Sequence, residues 1–311
     1  MHEYGGSEVL RMEQVPVPTP AVGQVRIRIH ATGINPIDWK IRSGRMQGSY
    51  AVTLPHIPGR DVAGTIDAVG SGVTRWKRGD AVFALVDVTP LGGGGLAEYV
   101  IVATEDVAPR PKRLNFVGAA GIPVASLAAW RTLIEVADVQ RGERVLIHGA
   151  AGGVGSTAVQ LANWRGAHVI ATASARNHDY LKALGADEVI DYNTTRFEDV
   201  VRDVDVVLDT VGGDTLKRSA AVLRQGGMLL SLVGRPSPED CRQRKLLCPD
   251  PDEGRPEHVG AQLERLGQLF DSGHLSMNIE AVFPLADANK ALELSEAGRA
   301  RGKIIVEVFA D

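Results

Sequence analysis

The spacing of apolar residues divides the chain into two parts with different predicted secondary structure. In the first part, short stretches alternate apolar and polar residues, as half-buried strands do, and clusters of Gly, Pro and Asp such as Gly92–Gly95 separate them. The predicted strands are Val25–Ala31, Val62–Val69, Asp80–Val86 and Glu98–Val102. Many short strands bounded by turn residues predict a compact β-rich domain rather than a parallel sheet.

The pattern changes near Phe116, where apolar positions take helical spacing and strands then alternate with helices. The predicted helices are Ser126–Ala137, Gly153–Trp164, Arg176–Leu184 and Asp214–Leu223, and the predicted strands are Arg144–His148, His168–Thr172, Glu188–Ile190, Asp205–Asp209 and Met228–Val233. This alternation predicts an α/β domain with a parallel sheet covered by helices, whose ligand crevice lies at the carboxyl ends of the strands.

The end of the chain has a pattern of its own. After Pro256 we predict a helix to about Asp271, then a strand, a helix and a final strand at Lys303–Val308. Because the nucleotide-type domain is already complete, we expect this tail to return to the first domain. The predicted boundaries are therefore 1–120 for the first domain, 121–272 for the second, and 273–311 for the returning tail.

Composition narrows the function classes. The chain has 311 residues, 44% hydrophobic and 23% charged, and a net charge of −4. That length suggests two domains at roughly 100–200 residues each. The net charge offers no attraction for nucleic acid or anionic lipid. No apolar run reaches the ~18 residues of a membrane span, and the N-terminus lacks the apolar segment of a signal peptide. We therefore expect no membrane partner and a cytoplasmic location.

Only two cysteines are present, Cys241 and Cys248, within a polar stretch flanked by prolines. This number excludes a disulfide scaffold and a four-cysteine zinc site. We expect two free thiols in a surface connection, with a disulfide or redox switch as the alternative.

The strongest chemical motif is the glycine-rich stretch HGAAGGVGS, between a predicted strand and a predicted helix. Glycines allow a sharp turn and a close approach to a pyrophosphate, and the helix supplies unpaired N–H groups. Ala150 stands where the first glycine of the usual fingerprint would be. The motif is weak alone, but its strand–loop–helix context predicts dinucleotide binding by Gly152, Gly153, Val154 and Gly155.

The end of the next strand indicates which dinucleotide is bound. NAD enzymes place an Asp or Glu there for the ribose 2′-OH. Here the sequence is ATASARN, without an acid, and Arg176 can pair with a 2′-phosphate through two donors. We therefore predict NADP(H), while an Arg176 that is only a solvated charge remains the alternative.

The chain resembles the zinc-independent quinone oxidoreductase branch of the medium-chain dehydrogenase/reductase superfamily. The resemblance is carried, nearly from end to end, by EYGGSEVL, ATGINPIDWKIRSG, PGRDVAGTIDAVGSGV, HGAAGGVGSTAVQLA, LGADEVIDY and ARGKIIVEV. It implies a GroES-like β-rich catalytic domain, discontinuous in sequence, a Rossmann domain, a cleft between them, and a homodimer or homotetramer.

The resemblance also implies roles for particular residues. Ser174 and Tyr192 match positions that contact the 2′-phosphate, although Tyr192 could instead pack at a strand end. Two segments match those lining the nicotinamide, and one C-terminal position matches a motif that approaches the cofactor. These further cofactor residues are Val211, Gly212, Leu232, Val233 and Lys303.

The zinc ligands of related alcohol dehydrogenases have no counterpart here. The resemblance places Asn35 at the position of a ligand Cys, and Arg60 at that of a ligand His. An amide and a cation do not bind Zn²⁺ in the usual way. The eight histidines show no ligand spacing, so we predict no metal.

Without a metal to polarise an alcohol or ketone, the expected reaction is NADPH-dependent reduction of a conjugated acceptor, a quinone or an α,β-unsaturated carbonyl. Asn35 can donate a hydrogen bond to the acceptor oxygen, and Lys40 can supply a proton or stabilise an enolate. An Asn-Pro turn and an ordinary surface lysine are the alternatives for these residues. For the protein, the alternatives are an enoyl-thioester or biosynthetic-pathway ene reductase, and a structural or sensor protein that binds NADPH.

Overall fold

A computed structural model describes residues 1–49, 52–87, 93–254 and 256–309. The chain forms two compact units: unit 1 consists of Met1–Leu127 and Glu257–Asp311, and unit 2 of Ala128–Pro256. Gly92, in one of the predicted turn clusters, lies outside the described residues.

The first segment of unit 1 contains the four predicted strands, which the structure confirms with small shifts of their ends. Its strands are β1 (Gln24–Ile34), β2 (Asp61–Val69), β3 (Ala81–Leu85), β4 (Tyr99–Ala103) and β5 (Val107–Pro109). Its helices are α1 (Pro36–Arg42), α2 (Phe116–Ala120) and α3 (Pro123–Trp130), and α3 crosses into unit 2. Helix α1 was not predicted from the sequence, although it begins with a proline in the first turn, where the missing N–H costs nothing.

Unit 2 has the predicted α/β architecture. Its strands are β6 (Arg144–His148), β7 (His168–Ala173), β8 (Glu188–Asp191), β9 (Val204–Asp209) and β10 (Leu223–Ser231). Its helices are α4 (Gly153–Arg165), α5 (His178–Ala183), α6 (Phe197–Val200), α7 (Gly213–Ser219) and α8 (Pro238–Gln243). The strands pair in parallel in the order β10-β9-β6-β7-β8. This order puts the glycine-rich loop after the central strand, β6, as a Rossmann fold requires.

Two of the predicted helices differ in extent from the structure. The helix predicted over Asp214–Leu223 ends at Ser219, because Leu223 already pairs with Val204 in the sheet. The helix predicted over Ser126–Ala137 is α-helical only to Trp130 and continues as a π-helical turn from Arg131 to Val136.

The tail of the chain returns to unit 1, as predicted. It contains α9 (Gly260–Asp271), β11 (Ile279–Pro284), α10 (Ala288–Glu296) and β12 (Lys303–Glu307). Strand β12 pairs antiparallel with β1, and β11 pairs in parallel with β12. The sheet order is β11-β12-β1-β2-β3-β5, and β4 pairs with the first half of β1.

The predicted boundary at residue 272 is wrong, because α9 belongs to unit 1. The backbone N–H of Val259 donates to Asp106 Oδ1 at 3.0 Å, and that of Arg113 donates to Asp271 Oδ1 at 3.0 Å. Gly260 lies so close to the carbonyl oxygen of Glu105 that a Cβ would collide with it. Helical periodicity revealed α9 but carried no information about which sheet it packs on. The first boundary also moves, from 120 to 127.

The expectation of two free thiols is wrong as well, because Cys241 and Cys248 form a disulfide bond. Cys241 lies in α8, and a turn with a left-handed backbone at Lys245 (φ 52°) brings the chain back. Leu247 then pairs with β10, since its N–H donates to the Gly227 carbonyl at 2.9 Å and its carbonyl accepts from the Leu229 N–H at 2.8 Å. The sequence suggested an open polar loop, whereas this pairing brings the two Cα atoms to 6.4 Å.

Among the described residues, no helix combines the length and the apolar character needed to cross a membrane.

Candidate functional site

The glycine-rich loop between β6 and α4 requires its glycines at two points. Gly149 has a left-handed backbone (φ 68°), and a Cβ there would collide with Thr210 Oγ1. A Cβ at Gly155 would lie 2.6 Å from Ala150 Cα and collide with the Gly149 carbonyl oxygen. Gly155 therefore lets α4 pack directly on the loop. Ala150, in place of the first fingerprint glycine, is fully buried and is accommodated.

The same loop leaves space for a ligand at Gly152. The nearest atom to a Cβ there would be the Gly149 carbonyl oxygen, at 3.5 Å. Gly152 is the N-cap of the 13-residue helix α4, and no side chain caps that end. The first N–H groups of a helix have no intrahelical partner and carry a positive partial charge. Gly152, Gly153, Val154 and Gly155 thus fit a pyrophosphate.

A buried histidine lies directly before the loop and forms hydrogen bonds to neighbouring elements. His148 ends β6, with Nδ1 3.0 Å from Thr172 Oγ1 and Nε2 3.1 Å from Ser219 Oγ. Burial lowers the pKa of His148 to about 4, so the ring is neutral at physiological pH. Its carbonyl accepts a 2.8 Å hydrogen bond from Thr210 Oγ1. These contacts join the ends of β6, β7 and β9.

The predicted nicotinamide-side residues follow the adjacent strands β9 and β10. The buried Asp209 carboxylate accepts hydrogen bonds from the Val211 and Gly212 N–H groups, both at 3.0 Å, and from Ser231 Oγ at 2.9 Å. Gly212 has φ 78°, and a Cβ there would approach Val233 Cγ2 to 2.9 Å. The side chains of Val211 and Val233 are exposed, and Leu232 is half-buried. The structure therefore brings this predicted group together, and hydrogen bonds to Asp209 hold its two segments in place.

The predicted 2′-phosphate residues follow the ends of two neighbouring strands. Ala173 and Asp191 are partners in the β7–β8 ladder, so the residues after them, Ser174 and Tyr192, follow neighbouring strands. Arg176 is exposed in the turn after Ser174, and Tyr192 is 61% exposed. That exposure disfavours the alternative in which Tyr192 is a packing residue.

Asp191, at the end of β8, is an acid beside this group. Its Oδ1 accepts from the N–H of Asn193 at 3.0 Å and from Asn193 Nδ2 at 2.9 Å. The Asn193 backbone hydrogen bond is the main reason that the pKa of Asp191 is below its ordinary value. The carboxylate is thus engaged in the turn that follows β8.

In unit 1, the predicted residues Asn35 and Lys303 meet in one buried cluster with Asp61. Lys303 Nζ donates to Asn35 Oδ1 at 2.5 Å and to Asp61 Oδ2 at 3.0 Å. Asn35 Nδ2 donates to the same Asp61 oxygen at 2.8 Å. The three side chains are 3% exposed or less. Lys303 as a cofactor contact stays a prediction, since its ammonium is engaged within unit 1.

Asp38 lies beside this cluster, in the first turn of the helix that carries Lys40. Its Oδ2 accepts the Asn35 N–H at 2.7 Å at the start of α1. Burial raises the pKa of Asp38 to about 7, nearby Asp61 adds to the rise, and the Asn35 hydrogen bond opposes it. The Asp38 carboxyl group thus ionises less readily than an ordinary aspartate, and it contacts the Asn35 backbone.

Lys40 is not part of the Asn35 cluster. Its side chain is half-buried, and its Nζ lies 5.6 Å from the centre of the Trp39 ring. Arg45 approaches the same ring, with Cζ at 5.2 Å. Lys40, in α1, and Arg45, after its end, thus place two cations near one indole ring.

The positions that correspond to zinc ligands have other partners here. Asn35 belongs to the ammonium cluster described above, and the buried Arg60 donates through Nε to the Val86 carbonyl at 3.4 Å. Within the described ranges, no three His, Cys, Asp or Glu side chains are grouped to hold a metal ion.

Asp61 and His148 were not predicted as site residues, and Asp209 was predicted only as part of the segment Asp209–Gly213, which the resemblance places on the nicotinamide side. Each is a polar residue at one end of a mostly apolar strand, which was the available signal. Their partners are distant in sequence, as in the pairing of Asp61 with Lys303.

Two family models match the chain. Residues 21–112 match the alcohol dehydrogenase GroES-like domain, and residues 184–306 match a model described as zinc-binding dehydrogenase. The first match confirms the GroES-like assignment for the β-rich part.

Curated relatives and solved structures cover nearly the whole chain. The chloroplast envelope quinone oxidoreductase homolog of Arabidopsis thaliana is 35% identical, over 97% of this chain and 95% of the relative. The chloroplastic NADPH-dependent alkenal/one oxidoreductase of the same plant is 34% identical, over 98% and 77%. The structure of Escherichia coli quinone oxidoreductase complexed with NADPH superposes with a TM-score of 0.87 at 28% identity, covering 99% of this chain and 98% of that one.

Proposed function

The chain belongs to the quinone oxidoreductase branch of the medium-chain dehydrogenase/reductase superfamily, and from this premise we propose that it is an NADPH-dependent reductase of quinones or α,β-unsaturated carbonyl compounds. The observation that carries the proposal is the glycine loop, which presents the uncapped start of α4 beside an acid-free end of β7. One similar protein is named as an NADPH-dependent alkenal/one oxidoreductase, and a similar structure is that of a quinone oxidoreductase complexed with NADPH.

The chain's own residues account for how NADPH would be held. The start of α4 receives the pyrophosphate. Ser174, Arg176 and Tyr192 receive the 2′-phosphate, with the guanidinium able to donate two hydrogen bonds to phosphate oxygens. Val211 and Val233 offer exposed apolar side chains to the nicotinamide, on segments that Asp209 and Ser231 hold in place.

NADPH, when bound, supplies the hydride, and the chain supplies positioning and stabilisation of the negative charge that develops on the acceptor oxygen. We assign Lys40 to this oxygen as the cationic donor and Asn35 as the neutral donor. Asn35 Nδ2 has one hydrogen committed to Asp61, while its second lies toward the Gly33 carbonyl at 3.4 Å. That contact is longer than the usual 2.9–3.0 Å, so an acceptor oxygen can replace it.

We further propose that the reaction needs no zinc, although one family model carries zinc in its name. An amide at position 35 and a guanidinium at position 60 are poor ligands for Zn²⁺. A conjugated acceptor delocalises the incoming charge into an enolate or a hydroquinone anion, which hydrogen-bond donors can stabilise until a proton is added. Elemental analysis of purified, active protein tests this: stoichiometric zinc would contradict it.

The assembly and the compartment are also proposals. By family, we expect a homodimer or homotetramer, which light scattering on a sizing column measures directly.

We propose the cytoplasm as the compartment, with no nucleic-acid partner. The disulfide between Cys241 and Cys248 argues against a strongly reducing compartment, and similar plant proteins are named as chloroplastic. Cell fractionation therefore decides, and recovery in an organelle would overturn the cytoplasmic location.

The experiment for the activity measures NADPH oxidation by the purified protein with a panel of quinones, enones and enoyl thioesters, and repeats each assay with NADH. We expect turnover with quinones or enones and a preference for NADPH. Turnover confined to enoyl thioesters would instead support a biosynthetic-pathway ene reductase. Tight NADPH binding without turnover of any acceptor would indicate a structural or sensor protein.

A further inference from the structure

A lysine ammonium is enclosed where three strand ends of unit 1 meet. Lys303 begins β12, Asp61 begins β2, and Asn35 directly follows β1. Lys303 Nζ lies 2.5 Å from Asn35 Oδ1, 3.0 Å from Asp61 Oδ2 and 3.1 Å from the Ile34 carbonyl oxygen. An ammonium has three hydrogens, so these three acceptors use all of its donors.

The same ion pair determines which way the Asn35 amide faces. Its oxygen accepts from the Lys303 ammonium, and its nitrogen donates to Asp61 Oδ2. A flipped amide would place N–H groups against the ammonium and a carbonyl oxygen against the carboxylate. Both contacts would be repulsive in a buried cluster, where electrostatic interactions are strong. One orientation is therefore strongly preferred.

Asp61 is itself held from a third direction. Its Oδ1 accepts the Val124 backbone N–H at 2.8 Å, which leaves Oδ2 for Lys303 and Asn35. The carboxylate is fully buried, and Lys303 is 3% exposed. Removing either partner would leave an unpaired charge in the interior.

The fixed amide leaves one hydrogen of Asn35 Nδ2 available. Its only partner among the described residues is the Gly33 carbonyl, at 3.4 Å. The Asn35 amide hydrogen that is bonded to Asp61 and the Asn35 amide oxygen that is bonded to Lys303 both have short hydrogen-bond distances. The second amide hydrogen is only weakly bonded, so it is the one that can bond to an acceptor carbonyl instead.

We propose that Lys303 and Asp61 are positioning residues, an internal ion pair that holds the Asn35 amide with one N–H available to the carbonyl oxygen of the acceptor. This inference rests on the proposed function, since it assigns Asn35 to the acceptor. It differs from the family expectation for Lys303, because all three ammonium donors are engaged inside unit 1. Loss of Lys303 then lowers kcat with the acceptor and leaves the Kd for NADPH unchanged.

The test is a double-mutant cycle of Lys303→Met and Asn35→Ala, measured as kcat with an enone and as Kd for NADPH. We expect each single variant to lose roughly 100- to 1,000-fold in kcat, as for loss of one oxyanion donor or of its orientation. The double variant should lose no more than Asn35→Ala alone, because Lys303 acts through Asn35. The Kd for NADPH should stay within about 2-fold in every variant.

The matched control is Arg26→Met, which breaks another ion pair on β1, where Arg26 Nε donates to Asp67 at 2.7 Å. It should leave kcat unchanged. Thermal unfolding checks each variant, and Lys303→Gln replaces Lys303→Met if the latter does not fold. A readout independent of turnover is the side-chain amide NMR resonances of Asn35, which should shift in Lys303→Met and stay in Arg26→Met.

Three outcomes would overturn the inference. Losses in kcat that multiply in the double variant would show independent action. A weaker Kd for NADPH with unchanged kcat in Lys303→Met would make Lys303 a cofactor contact. Amide resonances that do not move would show that the ion pair does not orient Asn35. Absence of turnover by the wild-type protein would instead refute the proposed function, and the NMR comparison would still test the orientation.

Discussion

Lys303 Nζ and Asn35 Oδ1 lie 2.5 Å apart in the interior of unit 1, although 268 positions separate the two residues in the chain. Pairing of β12 with the end of β1 brings them together, with Ile304 opposite Ile34. The returning tail thus completes the surroundings of a proposed catalytic side chain.

Replacement of Arg176 by alanine should raise the KM for NADPH by about 10- to 100-fold and leave that for NADH nearly unchanged. Charged hydrogen bonds of about 1.5–3 kcal/mol to the 2′-phosphate are the expected loss. Steady-state kinetics with both cofactors measures it. The control is Lys182→Ala, which removes an exposed cation from the neighbouring helix α5. Equal effects of Arg176→Ala on both cofactors would remove the argument for NADPH selectivity.

Gly155→Ala and Gly152→Ala should separate folding from cofactor binding. The Gly155→Ala methyl meets Ala150 Cα at 2.6 Å, so we expect a loss of several °C in Tm and of NADPH binding. At Gly152 the nearest atom to an added Cβ is 3.5 Å away, so Tm should not change. The added methyl group would occupy the space that we assign to the pyrophosphate, so NADPH binding should weaken. Calorimetry with and without NADPH measures both. Retained NADPH binding in Gly152→Ala would contradict the assigned position of the pyrophosphate.

Lys40→Met should lower kcat with enones by about 100-fold while the Kd for NADPH stays the same. The lysine is assigned to the acceptor oxygen and to none of the cofactor contacts. Arg45→Met is the matched control, since Arg45 is a second cation on the Trp39 ring. Equal losses in the two variants would mean that the charge of this surface matters rather than Lys40 itself.

Asp38→Asn should stabilise the protein increasingly as pH rises from about 4 to 8. Burial raises the pKa of Asp38 from 3.8 to about 7, so the folded state binds this proton more tightly than the unfolded chain, and its ionisation costs stability as pH rises through that window. Asp61 adds to the rise, while Lys303 and Arg60 oppose it. At about 1.4 kcal/mol per pH unit the gain is at most about 4 kcal/mol. Denaturant unfolding at several pH values measures it, and a difference independent of pH would contradict it.

The disulfide predicts that the unfolded, unreduced protein has no titratable thiol, since both cysteines are paired. Reduction should lower the free energy of unfolding by about 2–3 kcal/mol, the loop-closure entropy of a short loop. Cys241→Ala and Cys248→Ala should lose similar amounts and become insensitive to a dithiol reductant. Two titratable thiols in protein purified without a reductant would contradict the pairing.

Most of the helices and strands could be predicted, because local sequence patterns are sufficient to specify them. The buried strand before Gly149 and the glycines after it determine a strand–loop–helix unit without help from distant residues. The return of the tail could also be inferred, because the α/β pattern was already complete before residue 273.

What the sequence did not predict depends on distant contacts. Helix α9 was assigned to the wrong unit, since its hydrogen bonds to Asp106 and Arg113 lie about 150 positions away. Cys241 and Cys248 were expected to be free, because the pairing of Leu247 with β10 cannot be read from a polar loop. Asn35 was predicted as a hydrogen-bond donor from its residue type and its place in the family resemblance. The contacts of its amide with Asp61 and Lys303 could not be predicted, because those residues are distant in sequence.

The most direct test of the central claim follows the hydride itself. The protein is incubated with an enone and NADPH deuterated at its transferable position, and the product is analysed by mass spectrometry and NMR. We expect one deuterium per molecule of product, on the carbon β to the carbonyl, with a stoichiometric loss of NADPH. NADPH consumption without deuterium at that carbon, or reduction of the carbonyl itself to an alcohol, would contradict it.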